Sequence, residues 1–360
     1  MKLDWKAGLG LGITVFLLWW VLRDVDVAEV WSNIRHAHWW LLFAAVVVAT
    51  AGFLIRAFRW RVLLHPIAPG TGLRNRYAAV NIGFMANNLL PARAGEFARA
   101  YALSKLEPVT MSAALGTLVI ERVLDAFVYV VILLTVMSWP GFPSSPALRE
   151  GPLAEMRVAI PIALGVLTLV IGLLVALPRT VVRVAERIAA LLPEDFARPT
   201  VDALESFLDS LKVLRSPLLL AQALLWSFAF WLWHGLSYWL ALLAFDIHVG
   251  PLGAYFTEIV VGFAVSIPAA PGFFGTFHAG ASSALAVFGV PAANALAFAF
   301  GYHLGGFIPV TVIGLYYAGQ MGLSLKDVGG SERRVEEAVE QAHPRAVRVL
   351  DRSHPESKEP

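Results

Sequence analysis

The chain has 360 residues, of which 58% are hydrophobic and only 15% are charged, and its formal net charge is +2. This composition is far more apolar than that of a soluble domain of similar length, so we expect an integral membrane protein. Because cysteine is absent, disulfides, thiolate catalysis and cysteine-bound metal are excluded, and no basic face interleaved with aromatic residues indicates nucleic-acid binding.

Six apolar segments are predicted to be full membrane spans, the first of them slightly short, and the charges between them predict their orientation. Residues 56–76 hold five arginines and no acid, and residues 178–216 hold further basic residues, so both segments are predicted to be cytoplasmic. Because the number of full spans is even, the N-terminus and the C-terminus lie on the same side of the membrane, which is predicted to be the cytoplasm. The predicted spans are 7–22, 39–55, 111–139, 158–177, 217–245 and 292–322.

Two further apolar stretches are too broken to be simple spans. Residues 77–105 are interrupted at 87–95, and we predict a re-entrant hairpin that enters from the cytoplasm and turns there. The second stretch, residues 252–290, consists of two apolar segments, 252–270 and 273–290, which are joined at Pro271 and Gly272. For this second stretch, a hairpin that enters from outside and a pair of complete spans satisfy the charge rule equally well.

The two broken stretches share a local pattern. Each contains a Gly-Phe pair followed by P-x-x-x-G-x-F, at Pro91 to Phe97 and at Pro271 to Phe277. If both stretches are hairpins, the order span, hairpin, span occurs twice with opposite orientation, which is a recurrent transporter architecture. The predicted fold class is therefore an all-α polytopic membrane protein with eight or nine hydrophobic segments: about six spans, two broken hairpins and an inverted repeat.

The domain prediction is one membrane domain over residues 1–322, which includes a cytoplasmic linker at 178–216. A polar tail over 323–360 is expected to be disordered. Within the linker, apolar residues recur at helical spacing from Leu204 to Leu214. This spacing fits an amphipathic helix in the membrane interface, and it fits equally well a helix that packs on the protein's own spans.

The first break concentrates polar residues that are suited to an anion. The N–H groups at the start of a half-helix, with Arg93 and Arg99 nearby, would bind a group such as phosphate, whose oxygens match the planar fork of arginine. The amides of Asn87 and Asn88 adjoin this site. Alternatively, the two arginines are interfacial residues that set topology, with Glu96 as a local counter-charge.

Three ionisable residues lie within the predicted span 111–139. Glu121 and Asp125 are four apart and share a helix face, while Arg122 reaches Asp125 at a spacing of three. Because charges inside a membrane are costly, they indicate a functional site by default. The acids would take part in proton coupling or hold a cationic head group; alternatively, Arg122 and Asp125 form a structural pair.

The second broken stretch combines helix breakers with two ionisable residues, namely Pro271, Gly272, Gly275, Glu258 and His278. Histidine can titrate near neutral pH, so His278 is a candidate site residue. The other histidines in apolar segments, His234 and His303, are interpreted as packing residues. No P-loop, H-E-x-x-H or G-x-S-x-G motif is present. We therefore expect neither an enzyme nor a bound cofactor or metal.

The motifs at 88–99, 121–125 and 268–275 resemble the lysylphosphatidylglycerol synthase transmembrane family, whose members are also called flippase-like membrane proteins. The resemblance covers nearly the whole membrane part. It implies a multi-pass protein of a bacterial or archaeal inner membrane that moves lipids between leaflets. Only a short tail follows Leu323, so the aminoacyltransferase domain of full-length synthases and lipid aminoacylation are not expected. This chain also has His278 where many members carry an acid.

Residues and resemblance together predict a lipid translocase. Arg93 and Arg99 would engage a lipid phosphate, while Glu121 and Asp125 tune the site or take a proton. The expected partners are a phospholipid, a polyprenyl-phosphate lipid or a hopanoid or glycolipid, together with a lipid-biosynthesis enzyme. Three alternatives stay open: a carrier for a small anionic solute, an intramembrane transferase acting on a lipid, and an accessory subunit of a lipid-biosynthesis pathway.

Overall fold

The computed structural model describes residues 5–90, 94–143, 176–189, 204–266 and 271–330, with a few isolated residues between 162 and 201. Every regular element in these segments is helical, as predicted. The α-helices are α1 (Trp5–Leu22), α2 (Val27–Arg35), α3 (Trp39–Leu64), α4 (Leu73–Leu89), α5 (Gly95–Leu106), α6 (Met111–Met137), α7 (Pro178–Ala189), α8 (Pro217–Ala244), α9 (Gly250–Ala264), α10 (Thr276–Ala286), α11 (Ala292–Gln320) and α12 (Leu325–Gly329).

Three of these helices, α3, α8 and α11, are long and apolar enough to cross a membrane, with 26, 28 and 29 residues. At about 1.5 Å per residue, each exceeds a hydrocarbon core of about 30 Å. Helix α6 has a similar length of 27 residues but carries the three charges noted above. The predicted span 158–177 lies largely outside the described residues, so the total of six spans remains a prediction.

Helix α3 is longer than the sequence predicted. The apolar span was expected to end near Ile55, but the helix continues to Leu64 and includes Arg56 and Arg59. Both arginines are buried rather than placed in a cytoplasmic loop. This correction has a physical reason: carboxylates on another helix pair with the two charges, so the chain has no need to leave the helix to solvate them.

Both broken stretches fold as antiparallel pairs of short helices. Helices α4 and α5 have 17 and 12 residues, and helices α9 and α10 have 15 and 11. The longest of them extends only about 26 Å, which is less than a hydrocarbon core of about 30 Å. These lengths match the predicted first hairpin and favour a hairpin over two complete spans in the second stretch.

The helix contacts relate the two halves of the chain. Helix α3 packs along α8, α4 packs on α11, and α9 packs on α6. We match the helices of the two halves in order: α3 with α8, α4 with α9, α5 with α10 and α6 with α11. Under this matching, the contact between α4 and α11 corresponds to the contact between α9 and α6, and the contact between α3 and α8 corresponds to itself. The contacts within each half correspond in the same way, α3–α4 with α8–α9 and α5–α6 with α10–α11. This pattern is the one that two structurally related halves produce, and it agrees with the predicted repeat.

The linker ends in a helical stretch that packs on the protein itself. Residues 204–210 are helical and continue into a 3₁₀ turn at Leu211–Arg215. Leu208 and Leu211 are buried in the core around α3–α6. Ser210 lies so close to Gly116 of α6 that an added Cβ on the glycine would collide with it. Of the two alternatives for this segment, packing on the protein's own helices is the one observed.

The outer surface of the long helices is apolar. Phe43 of α3, Leu225 of α8 and Val312 of α11 are 70%, 69% and 59% exposed. Soluble proteins rarely expose contiguous apolar surface of this kind, whereas a lipid-facing surface consists of it.

At the start of the predicted tail, α12 places Val328 in a buried position. Residues 331–360 lie outside the described part of the chain.

Candidate functional site

A cluster of buried charges joins three helices of the first half. Helix α3 contributes Arg56 and Arg59, α5 contributes Arg99, and α6 contributes Glu121 and Asp125. Arg59 donates to both oxygens of Asp125 and lies 3.0 Å from Glu121. Arg99 donates through both terminal nitrogens to Glu121, at 2.8 and 3.1 Å. Arg56 donates to the same carboxylate at 3.2 Å.

The cluster has more positive than negative charge. Its three buried arginines face two buried carboxylates, which leaves one positive charge in excess. Arg122, 41% exposed, lies at the edge of the cluster, 3.5 Å from Glu121 and 3.8 Å from the third acid, Glu96. Because isolated charges are expensive in a membrane, the pairing stabilises the cluster, and the excess positive charge favours an anion nearby.

Helix α8 from the second half also binds to the cluster. The indole Nε1 of Trp231 donates to Asp125 at 2.9 Å, and Arg59 donates to the hydroxyl of Ser227 at 3.0 Å. Asp125 therefore accepts hydrogen bonds from α3 and α8 and has Arg122 of its own helix at 3.7 Å. The predicted Arg122–Asp125 contact exists, but Arg59 is the closer partner of this carboxylate.

Glu121, Arg122, Asp125 and Arg99, each named as a candidate from the sequence, lie together in this cluster, but the sequence did not identify their main partners. Arg56 and Arg59 were interpreted only as residues that set topology. A signal was present, because the two arginines are three apart and continue the helical pattern of an apolar span. In the structure, both terminal nitrogens of Arg99 donate hydrogen bonds to Glu121. Arg93 lies outside the described residues.

At the first break, the two asparagines have different partners. The side-chain oxygen of Asn87 accepts from the backbone N–H of Gly95 at 2.9 Å, which holds the two helices of the hairpin together. Gly83 and Gly95 face each other so closely that a Cβ on either would collide with the carbonyl of the other. Asn88 points the other way and donates to the hydroxyl of Thr311 on α11 at 2.8 Å.

At the second break, the glycines permit a turn that other residues rarely adopt. A short 3₁₀ turn begins at Pro271, and Gly272 and Gly275 have φ values of +73° and +87°. His278 follows in α10 and is fully buried, and neither ring nitrogen has a hydrogen-bond partner among the described residues. Its ring centroid lies 4.1 Å from that of Phe300. These contacts pack His278 among aromatic rings.

A cavity of about 230 Å³ lies between the two halves, next to the charged cluster. Aromatic side chains from α3, α4, α6, α8, α10 and α11 line much of its wall. Four of its polar residues are Arg56, Asn88, His234 and Glu258. Arg56 belongs to the cluster as well, and its guanidinium carbon lies 3.9 Å above the ring centroid of Phe230. Arg56 thus connects the charged cluster to the cavity.

His234, interpreted from the sequence as a packing residue, has an ionisable partner that the sequence did not identify. Its Nδ1 is 2.7 Å from Oε1 of Glu258, and both side chains line the cavity. The sequence contained a signal for this pair, because Glu258 is the single acid in a long apolar segment and needs a partner. His303 also lines the cavity, and it stacks on Phe277 at 4.4 Å, as a packing residue does. Among the described residues, no three His, Asp or Glu side chains form a metal site.

Comparison with known proteins decides the family. The sequence profile of the lysylphosphatidylglycerol synthase transmembrane region matches residues 8–314. The chain belongs to this family. The resemblance read from the three motifs is therefore confirmed, and the chain is an integral membrane protein. No solved structure matches it.

Members of this family that resemble the chain include archaeal membrane proteins. A UPF0104 membrane protein of Methanocaldococcus jannaschii is 33% identical over 88 residues, which is 24% of this chain and 26% of that protein. Another from the same organism is 25% identical over 189 residues, 52% of this chain and 74% of the relative.

A UPF0104 protein of Methanothermobacter thermautotrophicus is 26% identical over 127 residues, 35% of this chain and 38% of that protein. Glycosyltransferase AglD of Haloferax volcanii is 29% identical over 116 residues, 32% of this chain and 19% of that enzyme. The chain thus spans between a quarter and two fifths of the first two relatives, the 33% and 26% identical UPF0104 proteins.

Proposed function

We propose that this protein moves a lipid with an anionic phosphate head group between the two leaflets of its membrane. The observation that carries the proposal is the cavity between the two halves, which has aromatic walls and contains Arg56 of the positively charged cluster. Membrane transporters built from repeats of broken helices bind their substrates at such an interface. The chemistry required is binding and release, so the proposal includes no enzymatic step.

Arg56 is the best candidate for the phosphate contact. One terminal nitrogen is held by Glu121, while the buried Nε, like those of Arg59 and Arg99, has no hydrogen-bond partner among the described residues. Arg56 is the arginine of the cluster that lines the cavity. A buried donor without a partner is costly, and a phosphate oxygen would satisfy it with a charge-assisted hydrogen bond. Arg99 has less free capacity, because Glu121 occupies both of its terminal nitrogens.

The size and surroundings of the cavity favour a lipid head group over a whole lipid. A volume of about 230 Å³ lies below the usual range for drug-sized ligands, and the acyl chains would stay in the surrounding hydrocarbon. Gly306 of α11 lines the cavity, and a Cβ added there would meet nothing within 4 Å. The wall beside Gly306 therefore has room for a chain to pass.

The orientation is part of the proposal. Of the five arginines between 56 and 76, Arg61 and Arg74 are exposed, and they remain as residues that set topology by the positive-inside rule. On this basis we place the protein in the cytoplasmic membrane of a bacterium or archaeon, with both termini in the cytoplasm. A relative that is a glycosyltransferase is consistent with a lipid-linked phosphate as cargo, because glycans are commonly built on such carriers.

Transport by purified protein tests the proposal. We would reconstitute the wild type into proteoliposomes and follow the movement of fluorescent phosphatidylglycerol by its accessibility to a membrane-impermeant quencher. Gly306→Trp fills the cavity without touching a charge, and Gly319→Trp is the matched control. Gly319 lies in the same helix, is exposed, and also has open space beside an added Cβ.

We expect lipid movement by the wild type and by Gly319→Trp, and a loss of at least tenfold in Gly306→Trp. Each variant is first shown to elute as a single species in size-exclusion chromatography. Equal rates for the two tryptophan variants would remove the cavity from the lipid path. If the wild type moves no anionic lipid, including a polyprenyl phosphate, the translocase proposal fails. Uptake of a small anion or conversion of the lipid would then indicate a solute carrier or a transferase.

A further inference from the structure

A histidine and a carboxylate form a buried pair in the cavity, separate from the arginine cluster. Nδ1 of His234 on α8 lies 2.7 Å from Oε1 of Glu258 on α9. The Glu258 side chain is 2% exposed, while that of His234 is 26% exposed. The other carboxylate oxygen, Oε2, is buried and has no hydrogen-bond partner among the described residues. A proton on Oε2 would remove the charge from this costly position.

The pair and Arg56 share the same cavity and one aromatic ring. Arg56 lies over Phe230, and the ring of His234 stacks on Phe230 with centroids 5.6 Å apart at 20°. An anion that binds Arg56 therefore enters a space that already contains the Glu258 carboxylate. In a low-dielectric cavity the repulsion between two negative charges is strong, and protonation of the pair relieves it.

The other ionisable groups around Glu258 do not replace it in this role. Tyrosines surround it from four helices: Tyr129, Tyr238, Tyr255 and Tyr302. Phenols stay neutral between pH 5 and 8, so they do not change charge in that range. Among the described residues, Arg56 on α3 also acts electrostatically on Glu258, and the neighbouring helices carry Asp125 on α6, His278 on α10 and His303 on α11. Asp125 is paired with Arg59, and the two histidines pack among aromatic rings.

We propose that the His234–Glu258 pair is a proton-binding site that couples lipid movement to a proton gradient. The inference rests on the proposed lipid transport and adds its driving ion. One proton passes from water to the pair as the anionic head group binds at Arg56, and it leaves when the head group leaves. No covalent bond of the lipid changes. By linkage, each ligand strengthens the binding of the other by the same factor.

Binding measured against pH tests this coupling without requiring a full transport cycle. Fluorescent phosphatidylglycerol is titrated onto the detergent-solubilised full chain between pH 5.5 and 8. We expect the wild type to bind about tenfold more tightly at the acidic end, which lies within the usual range for coupling between two sites. Glu258→Gln keeps the shape and can still bond to His234, but it lacks the carboxylate charge that repels the head group, so its affinity should change with pH much less than that of the wild type.

The chain provides a matched control pair at the surface. Nε2 of His38 lies 3.3 Å from Oδ1 of Asp246. The side chain of His38 is 50% exposed to solvent and that of Asp246 is 66% exposed. Asp246 has a φ of +56°, a conformation that asparagine also tolerates. Asp246→Asn removes a carboxylate from the same kind of pair outside the cavity, and it should keep the pH dependence of the wild type.

The outcomes separate this inference from the proposed function. Absence of lipid binding by the wild type at every pH contradicts the proposed function itself. Binding by the wild type that is equally tight at every pH contradicts proton coupling only. The same holds if Glu258→Gln keeps the full pH dependence. If Glu258→Gln does not fold, His234→Gln is measured, since its more exposed side chain is easier to replace, and a pH dependence equal to that of the wild type overturns the inference.

Discussion

Replacement of Asp125 by asparagine is the sharpest test of the buried charge cluster. Asp125 accepts from Arg59 of α3 and from Trp231 of α8, and it belongs to α6, so this side chain joins three helices. Asparagine preserves the volume and can still accept from Trp231. The change therefore isolates the charge: three buried arginines would be left with the carboxylate of Glu121 alone.

The expected cost follows from the pairing in the cluster. Removal of one partner from a buried ion pair typically costs about 3–5 kcal/mol. The lower end applies here, because Arg59 keeps Glu121 at 3.0 Å as a second partner. A loss of about 3 kcal/mol corresponds to a decrease in melting temperature of roughly 4 °C for a chain of this size.

The measurement is thermal unfolding of the purified protein in mild detergent, followed by the fraction that stays monodisperse. Asp209→Asn is the control, because Asp209 pairs with Lys212 at 2.8 Å while both side chains are more than half exposed. Exposed pairs contribute about 0–1 kcal/mol, so this variant should melt close to the wild type. Combined with Arg59→Gln, Asp125→Asn should cost less than the sum of the two single changes. Equal melting of Asp125→Asn and Asp209→Asn would refute the role assigned to the cluster.

Three further changes test the breaks in the helices by the same melting assay. Gly95→Ala places a Cβ against the facing helix and should cost about 1–3 kcal/mol, whereas Gly319→Ala has open space and should not destabilise. Asn88→Leu removes the 2.8 Å hydrogen bond to Thr311 and should lower the free energy of unfolding by about 1 kcal/mol. In a protein that already carries Thr311→Val, the hydrogen bond is absent and Asn88→Leu should not have this cost. His278→Phe should melt no lower than the wild type and still move lipid, because the buried histidine has no hydrogen-bond partner among the described residues. Loss of transport in a folded His278→Phe would contradict its assignment as a packing residue.

The features that could be predicted from the sequence are local in the chain. Pro91 predicts the break of the first hairpin, because proline disfavours a continuous helix, and helix α4 ends at Leu89 just before it. The charges at Glu121 and Asp125 stand out because they interrupt an apolar span. In both cases the physical cause lies within a few residues, so the structure agrees with the expected helices.

The features that were missed depend on which helices meet. Arg56 is 65 residues from Glu121 in the chain, and only the packing of α3 against α6 distinguishes a buried partner from a residue that sets topology. The same holds for His234 and Glu258, which are 24 residues apart on two helices. Charge counting averages over a segment, whereas pairing depends on the orientation of individual side chains after the helices have packed.

The contacts between the helices differ in strength, although the two halves share a contact pattern. Ion pairs and charge-assisted hydrogen bonds hold α3, α5, α6 and α8 together through Glu121 and Asp125. Among the described residues, α11 receives a charge-assisted hydrogen bond from Arg74 of the first half, but that bond is solvent-exposed. Its contacts deeper in the protein are neutral, such as the Asn88–Thr311 hydrogen bond and the close approach of Gly305 to Val46. A neutral hydrogen bond contributes about 0.5–1.5 kcal/mol, less than a buried ion pair costs to break. We therefore expect that, in the proposed transport, α11 shifts against the first half while the charged cluster stays intact.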